Sequence, residues 1–569
     1  MNIIGINAFH PDSSACLIQD EKLIFATEEE RINRKKHYFG FPKEAIKACL
    51  DYGNLKISNI DYICINSNPQ TNIKKKILYV LQNFNFKFFF SKLLYKFGNN
   101  NIEKIFFKEF PIRNHKIKFL HFDHHLCHLA SSFMISSHEE GCSVSIDGFG
   151  DFVSTAIGYG DKNFLKIDER VYFPHSLGIF YQSLTQFLGF KNYGDEYKLM
   201  GLSSYGEPKY LDKISKIIDF DKDNHYRLNL DYFNHHNSFE GENTVKGNMQ
   251  LYNKNIEELI GKSRDPKDNI SQYHMDLASS VQKKYEEIFF NILNSTFERY
   301  QNYNLSLSGG CAQNSLANGK IKKNTKFKNI FIPSSPADSG GSIGAAILGS
   351  INKKNTFNIN RSPYLGQSYS NDQILKVLET YKTQINYKKH LDNELIKIIA
   401  KNLSENLVIG WFSGRSEWGP RALGNRSILC NPGNKDAKEL LNNKIKLREK
   451  FRPFAPTILE EEAKNWFEVD QSLPFMSMVV TADKKKARRI PAVVHVDGSS
   501  RLQTVNYEQN SKYYLLIKEF YNITEIPILL NTSFNENEPI VNTPSEAINC
   551  FLRTKMDFLV IENFIISRI

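Results

Sequence analysis

Apolar residues come in short runs separated by polar turns, starting at residue 1. Residues 1–30 read NIIGINAF, HPDSSA and CLIQDEKLIFATEEE: two strands around a turn that holds His10, Asp12, Ser13 and Ser14. Most polar hairpin turns have no role, but this one is dense in groups that transfer protons or hold phosphate. The pattern returns near 142–160, where CSVSI ends at Asp147 in a Gly-rich turn and STAIGYGD supplies the partner strand. Two strand–turn–strand units predict an internal duplication, although no residue-level repeat accompanies it. Just before the second unit stands HFDHHLCHLASS, which has helical character. His124 and His128 are four apart and share one helix face, so two imidazoles can grip one metal ion, with Asp147 as a hard oxygen donor nearby.

Further along, 78–99 (LYVLQNFNFKFFFSKLLYKFGN) is aromatic and basic and reads as a buried or partner-facing helix in preference to a membrane-surface one. EEERINRKKHYFGFP reads as a solvated charge run at the C-terminal end of strands. Residues 175–206 give an amphipathic helix, then a Gly-punctuated stretch with Asp195, Glu196 and Lys198, and 210–270 reads as a polar surface excursion. LSLSGGCAQNSLANGKI is a strand, a Gly-Gly turn and a helix, whose backbone N–H groups form an anion or nucleoside site. IFIPSSPADSGGSIGAAILG repeats that design, with Asp338 at the helix mouth as ligand or N-cap. Periodicity breaks around 352–370. Beyond it, Arg415, Arg421, Arg426, Lys444, Lys446, Arg448 and Arg452 are interleaved with Gly, Asn and Pro, which suits phosphate binding on loops. HVDGSSRLQTV adds Arg501, and ILLNTSFNENEP gives a strand and an Asn/Thr/Ser turn with Asn531 and Ser533.

Composition narrows the class. At about 150 residues per domain, a chain of 569 residues holds two to four domains. With 41% hydrophobic and 24% charged residues, disorder is excluded. No apolar run is long enough to span a bilayer, and the start lacks the pattern of a signal peptide. The eight cysteines are scattered without a C-x-x-C pair, which fits a reduced, cytoplasmic protein. A net charge of +11 favours nucleic acid, phosphorylated substrates or a membrane surface, while the lysine runs 74–76 and 484–486 read as solvated faces.

Ten stretches carry a resemblance: GINAFHPDSSACL, EEERINRKKH, HHLCHLASS, SIDGFGD, KLMGLSSYG, LSGGCAQNSLANGKI, GPRALGNRSIL, FRPFAP, HVDGSSRLQTV and LNTSFNENEPIV. In this order, end to end, the sequence resembles the NodU/CmcH-type O-carbamoyltransferases, which include the nodulation-factor and tobramycin enzymes. The resemblance implies an α/β protein of two domains. An actin-like (ASKHA, duplicated ribonuclease H-like) domain with a metal site covers 1–355. Residues 356–385 are a linker and the start of the second domain, and a YrdC-like α/β domain covers 386–569. The implied chemistry makes carbamoyl adenylate from carbamoyl phosphate and ATP with Mg²⁺, then moves the carbamoyl group to an acceptor hydroxyl.

Carried onto this sequence, the resemblance makes His124, His128, Asp147 and Asp338 the ligands of a divalent metal, iron by family habit, with His125 the alternative to His124. His10 becomes the general base, with Asp12 its rival because Pro11 separates the two where many relatives read His-Asp. Lys36 reaches the ligand, with Lys35 the register alternative. Gly309, Gly310 and Asn314 hold the adenylate. Arg421, Lys446, Arg448, Arg452 and Arg501 surround carbamoyl phosphate and the ATP phosphates, and Asn531 and Ser533 belong to the nucleotide site. NENEP departs from the family's Gly-Glu-Pro turn, so nothing is carried over at 536–538. The acceptor expected is a sugar or another small molecule. A nucleotide or nucleobase hydroxyl and a non-catalytic binding module are the alternatives, and homodimer formation stays open.

Overall fold

The computed structural model describes residues 1–83, 101–112, 116–161, 164–222, 225–238, 249–354, 358, 360–446, 449, 451–452 and 454–569. Residues 1–30 and 37–361 pack as one unit, and residues 31–36 with 362–569 as another.

The first unit holds two five-stranded sheets. In one, β1 (Asn2–Asn7) pairs antiparallel with β2 (Ser14–Gln19), and β2 with β3 (Lys22–Glu28). On its other side β1 runs parallel to β4 (Tyr62–Ile65), and β4 to β5 (Lys118–His121). The second sheet contains β6 (Glu140–Gly150), β7 (Val153–Asp161) and β8 (Leu165–Tyr172). After a small hairpin of β9 (Ile218–Asp221) and β10 (His225–Leu228) come β11 (Asn304–Ser308) and β12 (Asn329–Phe331). The orders are β3-β2-β1-β4-β5 and β12-β11-β6-β7-β8, and the senses agree strand for strand, with β6 in the place of β1. This is the duplication read from the two hairpins, the ribonuclease H-like pair of an actin-like fold. It escapes residue-level comparison because topology and burial are shared, not side chains. β1 is buried on both faces, as a central strand requires.

Helices join and cover the strands. Before β4, α1 (Lys43–Tyr52) starts where the Glu29 carboxylate accepts the backbone N–H groups of Glu44 and Ala45. In the β4–β5 crossover lies α2 (Ile73–Asn83). After β5, α3 (His124–Phe133) packs on β6 and β11 of the other sheet. After β12, α4 (Gly340–Lys354) packs on β1, β2 and β4, and also on α3. Each sheet thus lends a helix to the other. The α3–α4 crossing depends on Gly344, where an added Cβ would sit 1.9 Å from the carbonyl oxygen of Cys127.

The second unit is one nine-stranded mixed sheet with helices. Its order is β13-β21-β20-β14-β15-β19-β16-β18-β17. The strands are β13 (Ile385–Lys389), β14 (Ile409–Phe412), β15 (Arg426–Cys430), β16 (Ala455–Leu459), β17 (Met478–Thr481), β18 (Ser499–Val505), β19 (Ile528–Ser533), β20 (Phe558–Ile561) and β21 (Phe564–Arg568). The helices α5 (Asp392–Ser404) and α6 (Ser511–Thr524) pack together, and α7 (Pro544–Arg553) lies on β14 and β20. This is the mixed α/β build that the resemblance implies.

Two sequence readings change. The run 28–42 is not simply solvated. Arg31 is buried and donates to the Gly419 carbonyl at 2.6 Å, while Arg34 donates to the Ile540 carbonyl at 2.9 Å and lies 3.1 Å from Glu546. A guanidinium fork reaches several carbonyls at once, so it is buried where a lysine would stay wet. The aromatic segment 78–99 is described only through residue 83. Within that part Leu78 and Leu81 are exposed, not buried.

Candidate metal centre and phosphate pocket

Four donors from three places in the chain meet in the first unit. Asp123 caps α3 by accepting the Leu126 N–H at 3.0 Å, and Asp151 accepts the His124 N–H at 3.0 Å. The helix start is thereby fixed, and the pitch puts His124 and His128 on one face. His124 Nδ1 lies 3.2 Å from the Asn66 carbonyl, so Nδ1–H donates there and Nε2 faces inward. Asp147, in β6, accepts the Gly310 N–H on Oδ1 at 2.8 Å and presents Oδ2 to both histidines. Asp338 stands two residues before α4.

The inward atoms form a tight cage. His124 Nε2 and His128 Nε2 are 3.0 Å apart. Asp147 Oδ2 lies 3.5 and 3.3 Å from them, and Asp338 Oδ1 lies 3.4 Å from each. All four residues are buried, and Asp338 Oδ1 has no hydrogen-bond partner. Donors about 2.0–2.1 Å from a common ion in tetrahedral array stand about 3.3 Å apart, so the spacing fits a divalent ion. Two imidazoles with two carboxylates suit iron, zinc or manganese. Burial alone pulls His124 down, yet the two carboxylates outweigh it and hold the ring well above its usual range. Asp147 is held well below the carboxylate range by the two imidazoles in spite of its burial. His125 takes no part. Its ring nitrogens lie 3.0 Å from Ser145 Oγ and from the Val153 carbonyl, and burial pushes it down to about 3.

The turn after β1 borders this cage. The His10 ring stacks on His124 with centroids 4.8 Å apart. Asp12 is engaged elsewhere: its Oδ1 lies 2.8 Å from His37 Nδ1, and the His37 N–H donates to Glu30 at 2.7 Å. Phe9 and Asp12, on either side of His10 and Pro11, adopt left-handed φ values of 57° and 52°. Lys36 is exposed and packs with the second unit, as does Lys35. Of the expected adenylate contacts, Gly309 and Gly310 stand at the cage, with Gly310 bonded to Asp147. Asn314 is buried as a helix cap, accepting the Ala317 N–H at 3.1 Å and exchanging amide bonds with Gln282.

In the second unit, Lys446 is buried. Its Nζ lies 2.7 Å from Asn535 Oδ1, 2.8 Å from the Asn535 carbonyl and 3.2 Å from Ser533 Oγ. Asn531 is buried one strand position earlier on the same face, and its amide donates to the Ala422 carbonyl, Thr457 and Gln503. The carbonyl of Ala422 follows Arg421, so Asn531 braces the Arg421 loop. Glu417 shapes that loop too, accepting the N–H groups of Leu423, Asn425 and Arg426. Arg421, Arg452 and Arg501 are half-buried, and Arg448 lies outside the described residues. Two cations of the sequence cluster have other tasks. Arg426 stacks on Phe412 at 3.5 Å and donates to the carbonyls of Ser413, Gly414 and Gln367, and Arg415 donates to that of Gly366. Sequence reasoning missed Asn66, Asp151, Glu417 and Asn535. Of these, Asn535, in NTSFN, and Asp151, in SIDGFGD, stood in motifs already singled out for the site.

A duplicated sheet pair with a buried four-donor cage, in one chain with a mixed α/β unit, defines an actin-like α/β protein with a candidate metal centre. Comparison with known proteins sharpens the class. Residues 2–347 match the family model "Carbamoyltransferase N-terminus" and residues 400–568 match "Carbamoyltransferase C-terminus". Nodulation protein NolNO of Sinorhizobium fredii is 34% identical over 99% of this chain and 80% of its own length. Nodulation protein NolO of Bradyrhizobium diazoefficiens is 36% identical over 78% and 79%. The uncharacterized protein sll1178 of Synechocystis is 35% identical over 100% and 97%. The chain belongs to the carbamoyltransferase family and is an enzyme of that class. Among the described residues no helix is long and apolar enough to cross a membrane.

Proposed function

We propose that the protein is an ATP-dependent O-carbamoyltransferase that works through carbamoyl adenylate. In the first step, water takes the phosphate from carbamoyl phosphate. The carbamate oxygen then bonds to the α-phosphorus of ATP, and pyrophosphate leaves. In the second step an acceptor hydroxyl bonds to the carbamoyl carbon, loses its proton, and AMP departs. The second unit carries out activation. Lys446, gathered by Ser533 and Asn535, places a fixed positive charge where negative charge builds on the phosphates, and Arg421, Arg452 and Arg501 add to it. Mg²⁺ accompanies the ATP.

Transfer belongs to the first unit. His124, His128, Asp147 and Asp338 would hold the divalent ion, with iron the expected one, and when bound it acts as a Lewis acid toward phosphate oxygens. An imidazole nitrogen of His10 takes the proton from the acceptor hydroxyl, a contribution of roughly 10²–10⁴-fold. Asp12 orients His37 instead. Gly310 keeps Asp147 turned toward the histidines. The acceptor is a sugar or another small metabolite, and the compartment is cytoplasmic, in keeping with eight free, buried cysteines.

The observation that carries the reading is the cage, with four buried donors at bonding separations, one carboxylate oxygen unpartnered, and His10 stacked on its first histidine. Acid-quenched mixtures of enzyme, ATP and carbamoyl phosphate, read by mass spectrometry, test it. Carbamoyl adenylate is the expected species. ATP turned over to ADP, with no adenylate, would overturn the reading.

A further inference from the structure

The two sheets of the first unit share a topology but differ in their connections, one of which is long only in the first sheet. Between β11 and β12 the crossover runs through 309–328, whereas between β4 and β5 it runs through 66–117. The excess includes α2, whose outer face has no apolar partner among the described residues. Ile73, Ile77 and Leu81 recur at i, i+4 and i+8 and are 55%, 48% and 58% exposed, with Leu78 beside them at 47%. The opposite face is anchored, because Tyr79 packs edge-on against Phe152 and Phe173.

Charge indicates what covers the outer face. Lys74 is exposed within the apolar stripe, Lys75 is exposed on the cavity side with its Nζ 5.1 Å from the centre of the Tyr172 ring, and residues 62–102 contain no acidic residue. A cavity of about 790 Å³ opens beside α2, lined on that side by Lys75 and Tyr79 and on the other by Phe152, Lys216, Phe220 and Arg227. Phe220 is itself 49% exposed. Asp219 and Asp221 also line it, Asp219 lying 3.5 Å from Lys284 and Asp221 4.0 Å from Arg227, which leaves Lys75 and Lys216 as the rim's further cations. Apolar side chains projecting between lysines are the pattern that seats a helix in the headgroup layer of an anionic bilayer, apolar stripe down and ammonium groups on the phosphates. A partner protein would more commonly cover such a stripe with matching acids. Within the chain, the run around it supplies none.

We propose that the outer face of α2, with the basic rim of the adjoining cavity, docks the protein on an anionic lipid bilayer. The proposal is independent of the carbamoyl chemistry. Full-length protein is sedimented with vesicles of phosphatidylcholine alone or with about 30 mol% phosphatidylglycerol. Binding is expected to the anionic vesicles only, and to weaken as salt rises to about 0.5 M. The double variant Ile77→Glu/Leu81→Glu, and separately Lys74→Glu/Lys75→Glu, should each weaken binding by about tenfold or more. Leu391→Glu, at an exposed site of the second unit, should bind as the native protein does. Circular dichroism and the thermal unfolding midpoint should be unchanged in all of them, which shows that they fold. No sedimentation of the native protein with anionic vesicles would overturn the proposal, as would undiminished binding by both double variants. A dimer seen by light scattering that Ile77→Glu/Leu81→Glu dissolves, without vesicle binding, would assign the face to a second copy instead.

Discussion

His128 separates the two half-reactions most cleanly. It lies fully buried in the cage and nowhere near Lys446 in sequence. His128→Ala should lower bound iron, read by elemental analysis, from about one ion per chain to near none. It should spare ATP–pyrophosphate exchange, since that is assigned to the second unit. His10→Ala should keep the metal and slow carbamoyl transfer roughly 10²–10⁴-fold, with rescue by added imidazole as the mark of a lost base. Equal loss of metal in His10→Ala would make that residue a support for His124 rather than a base. Glu196 supplies a pH signature. Burial pushes its carboxyl up to about 7, so the folded protein holds a proton there that the unfolded chain releases near 4.5. Its contribution therefore favours the native state at acid pH and is lost as pH rises from 4.5 through 7. Thermal unfolding of Glu196→Gln across that range should lack this decline. At this scale the sequence revealed the residues with distinctive chemistry, such as His124, His128 and Lys446. It concealed Asn66 and Asp151, whose roles are a carbonyl and a cap made by the fold.

At the scale of elements, α3 is held on two sides by glycines. A Cβ at Gly150 would stand 2.0 Å from the His124 ring, and one at Gly344 would strike the Cys127 carbonyl. Gly344→Ala should therefore destabilise the first unit by about 1–3 kcal/mol, seen as a lower melting temperature. Gly150→Ala should cost metal affinity more than stability, because an imidazole can tilt where a helix backbone cannot. A Gly150→Ala protein with native iron content would refute that account of the hairpin. The strand–turn–strand units were legible because each places a polar turn between buried runs. The cage was half legible: the i, i+4 histidines lie on one helix, but Asp338 approaches only because α4 crosses α3 at Gly344. The charge run 28–42 misled because the sequence does not show which carbonyls Arg31 and Arg34 meet.

Across the whole molecule, the proposed activation belongs to one unit and the proposed transfer to the other. The N-terminal unit has the duplicated sheets and the cage, and the C-terminal unit has the buried lysine among Ser533 and Asn535. Lys446→Met should abolish activation while leaving divalent-metal binding by the first unit unchanged. The central claim is that carbamoyl phosphate is activated on ATP. Exchange of labelled pyrophosphate into ATP tests it most directly. Native enzyme should catalyse exchange only when carbamoyl phosphate is present, and Lys446→Met should not catalyse it. Exchange without carbamoyl phosphate, or none from active metal-loaded enzyme, would contradict it.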